Sequence, residues 1–202
     1  MVRVSAASAV RMAVCVAGLL LPVSAEAQSI GVKGGVGLSQ VVFTNGFADT
    51  TPLSPALVGG ATAGLRLPWK LGLQVEGLVA EYRPTVNEVQ EDRLRYLEIP
   101  ILLRYPVPGT GTARPIHVSG GAVVRRLLAA SEVLEGESFD IKGGVADNDL
   151  ALAIGGDVEL FPRWTVDVRY LHGRDGVYRR FDSNYAGTHR TVQVTVGYAL
   201  RR

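Results

Sequence analysis

The chain has 202 residues, with 21 lysines and arginines against 19 aspartates and glutamates and a formal charge of +2. This balance argues against nucleic acid as a partner, and a single cysteine, Cys15, rules out an internal disulfide framework. Twenty-four glycines, ten prolines and a mildly positive mean hydropathy, with no apolar run of helical membrane length after residue 27, suit a closed sheet in lipid better than a buried α/β core.

In chain order, Arg3 and Arg11 precede an apolar stretch from Met12 to Val23, and Ser24-Ala25-Glu26-Ala27-Gln28 supplies a small-x-small cleavage pattern. The reading is a signal peptide, residues 1–27, cut after Ala27, since the stretch is shorter than the roughly 20 residues a helical anchor requires. Without Arg3, Arg11 and Glu26 the remaining 28–202 keeps 19 basic and 18 acidic residues and no thiol, and is long enough for one domain.

That domain alternates apolar with polar or small residues in runs of about ten, the period of a strand with two different faces. Eight strands are predicted: Ile30 to Phe43, Leu57 to Leu67, Leu71 to Arg83, Leu94 to Tyr105, Pro115 to Ala130, Asp149 to Phe161, Trp164 to His172 and Arg190 to Leu200. In the last, Val192, Val194, Val196, Tyr198 and Leu200 face one way and Thr191, Gln193, Thr195, Gly197 and Ala199 the other. Connections after strands two, four and six are short or moderate. Those after one, three, five and seven (Thr44 to Ala56, Pro84 to Arg93, Ser131 to Asn148, Gly173 to His189) are mostly longer and more polar. This asymmetry predicts an all-β, closed antiparallel up-and-down transmembrane barrel of about eight strands in the outer membrane, with both termini and the short turns periplasmic.

The lipid-facing rows read Ile30, Val32, Val36, Leu38, Val42; Leu97, Ile99, Ile101, Leu103; Ile116, Val118, Ala122, Val124; Leu150, Leu152, Ile154, Val158, Leu160; and Val166, Val168, Tyr170. Charges that break the rows, Glu81, Arg83 and Arg126, fall near the outer ends, where headgroups and water reach them. Trp69 and Trp164 at the short turns, with Tyr105 and Tyr198, form an expected aromatic girdle. Tryptophans packing the turns of a soluble sandwich are the competing reading.

The opposite face collects Lys33, Arg66, Arg104, Arg125 and Arg169 together with Glu76, Glu98, Asp157, Glu159 and Asp167. Eight strands enclose a space that side chains can fill, so these charges are expected to pair across the lumen and plug it. His117 and Ser119 share that face with Glu98 nearby, the residue types of a nucleophile, base and orienter. However, positions two apart on a strand sit about 7 Å apart, too far for a hydrogen bond. No catalytic, cofactor or metal residue is assigned. His172 and His189 with Arg174, Asp175 and Asp182 are read as solvated loop residues, a weak metal or headgroup site being the alternative, and Gly34-Gly35 and Gly59-Gly60 as sites of sharp curvature or close neighbour packing rather than phosphate loops.

Tyr96-Leu97-Glu98-Ile99-Pro100-Ile101-Leu102-Leu103-Arg104-Tyr105 resembles the Tyr-Leu-Glu-Ile-Pro segment of PorT-like outer-membrane β-barrel proteins, and Gly31-Val32-Lys33-Gly34-Gly35-Val36-Gly37-Leu38-Ser39 is similar to their first strand. The resemblance implies a small OmpA-type eight-stranded barrel; some relatives are linked to protein secretion. Pro100 removes a ladder donor and predicts a bulge or bend. Barrels of this type usually finish on an aromatic residue, whereas here Leu200 takes the terminal hydrophobic position before Arg201-Arg202.

The functional expectation is a non-enzymatic envelope protein with a structural or interaction role, accessory to secretion in one version. Its outer loops would carry recognition: Glu132, Glu135, Glu137 and Asp140 against Arg174, Arg179 and Arg180. Outer-membrane lipids, lipopolysaccharide, the barrel assembly machinery and an envelope protein are the partners this implies. A narrow pore, a lipid-modifying enzyme and a periplasmic lipocalin-like binder are the alternatives.

Overall fold

The computed structural model of the chain describes residues 29–43, 52–83, 85–87, 90–108, 114–134, 137–174 and 187–201. Its strands are β1 (Ser29–Phe43), β2 (Ser54–Arg66), β3 (Gly72–Tyr82), β4 (Thr85–Asn87), β5 (Gln90–Pro106), β6 (Ile116–Leu134), β7 (Glu137–Asp140), β8 (Asn148–Phe161), β9 (Trp164–Gly173) and β10 (Gly187–Arg201). Eight are long and antiparallel to their neighbours in the order β1-β2-β3-β5-β6-β8-β9-β10. Pairing of β1 with β10, from Ile30 opposite Arg201 to Phe43 opposite Gly187, closes the ring. Each long strand then has a hydrogen-bonded neighbour on both sides, which is what a sheet in hydrocarbon requires.

All eight expected strands form where the alternation places them; the connections differ from expectation. Ser131 to Asn148, read as a loop, continues the wall as a hairpin: β7 pairs with the end of β6, Ser131 opposite Asp140 and Leu134 opposite Glu137. A 3-10 turn, Lys142–Gly144, follows. Likewise β4 pairs with the start of β5 inside the expected loop Pro84 to Arg93. Such short pairings carry too few residues to show a period. The expected signal segment and residues 175–186 of the last loop lie outside the described residues.

Burial runs opposite to that of a soluble protein. Ile154, Leu152 and Val36 are 67%, 62% and 57% exposed, while Gln193, Thr195 and Glu98 inside the ring are 1%, 2% and 0% exposed. Apolar residues left outward on every long strand form a band far beyond the few hundred Å² that a soluble monomer tolerates. On β6 the band runs from Ile116 to Val124, a height of roughly 20 Å at the rise and tilt of barrel strands.

Toward the loops the band meets a polar outward residue on seven of the eight long strands, with Leu53 and Leu128 exposed beyond that edge. The first polar outward residue is Gln40 on β1, Glu81 on β3, Arg95 on β5, Arg126 on β6, Asn148 on β8, His172 on β9 and Arg190 on β10. Several are direct partners: Gln40 with Arg190, Arg190 with His172, Glu81 with Arg95, and Arg126 with Asn148. At the turn end, Trp164 lies opposite Tyr198 with ring centroids 4.9 Å apart, and Arg114 sits 5.8 Å over the Phe161 ring. Trp69 and Lys70 close the β2–β3 turn with φ of 60° and 64°, and Trp69 is 85% exposed at its tip.

Pro100 does not make a bulge. Register with β3 is the same on both sides of it, from Val75 opposite Ile101 to Leu78 opposite Glu98, with the pairing interrupted between. The missing N–H is absorbed as a gap in one ladder beside Glu76, and the bulge instead lies at Arg95/Tyr96 facing Leu127 and Ala129. Close approach explains one member of each glycine pair: a Cβ on Gly60 would stand 2.0 Å from the Gly77 carbonyl oxygen and one on Gly35 2.1 Å from that of Val194, whereas on Gly34 and Gly59 it would meet only ordinary contacts at 3.8 and 3.6 Å.

Candidate functional site

The interior is built by parity from inward positions of all eight long strands, and its charged side chains pair with one another. Toward the turn end, Arg104 on β5 pairs with Asp157 on β8, its Nε donating to Oδ1 at 2.9 Å. His117 on the intervening β6 puts Nδ1 3.1 Å from Asp157 Oδ2. In the middle, Arg169 donates Nη1 to Glu76 Oε2 and Nη2 to Oε1, both at 2.9 Å, and Lys33 Nζ donates to Oε1 at 2.8 Å. Asp167 completes the group, 3.6 Å from Lys33 and 3.4 Å from Arg169. Since β3 and β9 are four strands apart in a ring of eight, the Glu76–Arg169 pair spans the barrel from wall to wall.

Nearer the loops, Arg125 Nε lies 2.9 Å from Glu98 and its Nη1 lies 3.2 Å from Asp149. Tyr82 donates its hydroxyl to Glu98 at 2.5 Å, and Gln193 Nε2 reaches the other Glu98 oxygen at 3.3 Å. Arg125 Nη1 also lies 3.0 Å from His189 Nδ1, which must accept, so that ring keeps its proton on Nε2. Beyond this level the interior turns apolar: Val58, Leu78, Ala80, Leu94, Tyr96 and Leu127 pack together, Val145 from the 3-10 turn is 1% exposed against them, and Ile141 packs alongside. These side chains pack the interior among the described residues toward the loops, and a cavity of about 590 Å³ at the turn end reaches inward to Lys33, Arg104 and His117.

The expected mixture of lumen charges is present, with Arg66 at the rim of that cavity rather than inside. No nucleophile chain forms from His117, Ser119 and Glu98. The acid at His117 is Asp157, its direct partner across β6 and β8. Glu98 is engaged by Arg125, and Ser119 Oγ is buried with no hydrogen-bond partner among the described residues. His189 is not a solvated loop residue: it is 2% exposed inside the lumen, whereas its strand neighbour's His172 faces outward beside Tyr170. Asp175, Asp182, Glu135, Arg179 and Arg180 lie outside the described residues, as do the side chains of Glu132 and Glu137. Asp140 accepts the Lys142 N–H at 2.9 Å, and Lys142 Nζ donates to the Leu128 carbonyl at 3.0 Å. Parity alone places Tyr82, Gln193, Asp149 and His189 inward, but a period of two does not single out uncharged Tyr82 and Gln193 as ion-pair partners, and it fades at the strand ends where Asp149 and His189 sit.

No protein-family model matches the sequence, and no curated protein matches it. Among solved structures, Neisserial surface protein A is similar at 14% identity over 86% of this chain and 99% of its own, with a TM-score of 0.55. The attachment invasion locus protein Ail of Yersinia pestis aligns at 15% identity over 85% and 98%, with a TM-score of 0.49. The outer-membrane enzyme PagL aligns at 11% over 85% and 99%, with a TM-score of 0.44. Likeness at these identities speaks to the fold alone. The chain has the closed eight-strand antiparallel fold of small outer-membrane β-barrels.

Proposed function

We propose that this chain resides in a bacterial outer membrane as a plugged, non-enzymatic barrel whose work is done at its loop end, as a structural or interaction protein of the envelope. The observation that carries this reading is the pairing of an outward apolar band with an interior closed by ion pairs and, toward the loops, by the apolar cluster around Val145. A wall of this kind suits acyl chains, and a filled lumen of eight strands leaves no through path. In this orientation the turns and both termini face the periplasm after cleavage at Ala27, and the β1–β2 and β9–β10 connections lie on the outer side with the β6–β7 hairpin. The PorT-like segment Tyr96 to Tyr105 favours an accessory role in secretion among such functions.

Two measurements test this. Membrane fractionation with heat-modifiable gel mobility is expected to place the full chain in the outer membrane as a folded barrel, and a soluble species overturns the location. Purified protein in planar bilayers is expected to give no steady conductance above background. Large steady currents would instead support the narrow-pore reading, which the turn-end cavity favours.

A further inference from the structure

The loop-side edge of the apolar band is not electrically uniform. On β1, β8, β9 and β10 its first polar residues are Gln40, Asn148, His172 and Arg190, one arginine over four strands, but across the adjacent β3, β5 and β6 they are Glu81, Arg95 and Arg126, with Arg83 just beyond β3. All four lie on the outer face, the face that carries Val79, Leu97, Ile99 and Val124 lower down. Register joins them into one patch: Glu81 is opposite Arg95, and Arg126 is opposite Leu97, one outward step from Arg95. Glu81 holds two of the guanidiniums, Arg83 Nη2 at 2.8 Å and Arg95 Nη2 at 3.0 Å, and orients them along the wall. Even so engaged, the side chains of Arg83 and Arg95 remain 41% and 56% exposed. Among the described side chains facing out on these three strands, Glu81 is the one carboxylate, so the arginines outnumber it and the patch keeps a net positive charge.

Cations at that height meet headgroups rather than acyl chains. Planar guanidiniums with free donor edges match phosphate oxygens in paired hydrogen bonds. We infer that the outer wall of β3, β5 and β6 is a seat for a phosphorylated lipid headgroup, and that its occupant is a bisphosphorylated lipid of the lipid A class in the leaflet at the loop end. Two points favour this lipid over a singly charged phospholipid. The excess of guanidiniums over the single carboxylate calls for more than one phosphate charge, and the apolar rows running down from the patch give several acyl chains a contiguous surface. The inference rests on the membrane orientation proposed above. It assigns the binding to the wall of the barrel, apart from the loop arginines.

The test uses the full chain purified in detergent and transferred to nanodiscs, with retained lipid measured by native mass spectrometry. The probes are bisphosphoryl lipid A, its monophosphoryl form and phosphatidylglycerol, presented at equal mole fraction. Wild type is expected to retain bisphosphoryl lipid A preferentially. Arg95→Gln and Arg126→Gln are each expected to weaken that retention about tenfold, the size of one charge-assisted contact. Arg201→Gln, at the turn end, is expected to leave it unchanged. Equal retention of all three lipids by wild type, or equal retention by Arg126→Gln and wild type, overturns the inference. Should Arg95→Gln fail to fold because Glu81 loses a partner, Arg126→Gln alone decides, since none of the ion pairs described here depends on it. Failure to enter nanodiscs as a heat-modifiable barrel sinks the membrane reading instead, which keeps the two failures distinct.

Discussion

Glu76 is the hub on which the interior is most exposed to test. Its carboxylate takes both terminal nitrogens of Arg169 and the ammonium of Lys33, and the three side chains are 0%, 2% and 4% exposed. Glu76→Ala leaves Asp167 as the carboxylate for two buried cations, at 3.6 and 3.4 Å, and Arg169 Nε already lacks a hydrogen-bond partner. Breaking a buried pair from one side costs about 3–5 kcal/mol, because the surviving charge keeps its desolvation penalty and loses its compensation. Removing both ends is a different perturbation: Glu76→Leu with Arg169→Met replaces the pair by apolar side chains of similar volume and leaves Lys33 to Asp167. The double variant is expected within about 1–2 kcal/mol of wild type, since such replacements are often neutral. Urea titration of protein folded in lipid vesicles, read by heat-modifiable gel mobility, measures both. A Glu76→Ala cost below about 1 kcal/mol, or a double variant less stable than the single one, refutes the account of a charge-compensated core.

The remaining expectations are smaller in scope. Gly60→Ala and Gly121→Ala, whose Cβ atoms would stand 2.0 Å from the carbonyl oxygens of Gly77 and Ile101, are expected to abolish the folded gel band; Gly77→Ala, with open space at its Cβ, is expected to keep it. Ala61→Arg, outward in the band, is expected to cost about 2–4 kcal/mol in vesicle folding. Its neighbour Thr62→Arg, which points to the turn-end cavity, is expected to fold, and equal outcomes would undo the face assignment. Lys70→Gly is expected to raise stability by about 1 kcal/mol in the same titration, because the left-handed conformation at φ 64° strains any residue with a Cβ.

The wall was legible in the sequence because its information is local. A period of two residues assigns Val192, Val194 and Val196 to one face and Thr191, Gln193 and Thr195 to the other, and no distant residue need be known. The set of lumen charges followed from the same parity, but their pairing did not. Whether Arg169 meets Glu76 or Asp157 depends on the stagger accumulated between strands, which is a property of the closed ring. For the same reason His117 looked nearest to Ser119, two residues along its own strand, while the group it contacts, Asp157, is forty residues away on the next one. At the strand ends the alternation fades. His189 was therefore assigned to solvent although its ring packs on Tyr82 with centroids 4.5 Å apart, and the β6–β7 hairpin was read as irregular.

One consequence of the wall-to-wall pair concerns shape. A ring held only by ladders between neighbours flattens into an oval under lateral pressure at little cost, because no neighbouring hydrogen bond need lengthen much. Joining Glu76 to Arg169 across the full diameter, with Lys33 and Asp167 bracing the joint, gives the cross-section a spoke. Squeezing along that line is resisted by close-packed charged groups and stretching by their attraction. At mid-height the pair therefore opposes any change in the separation of β3 and β9.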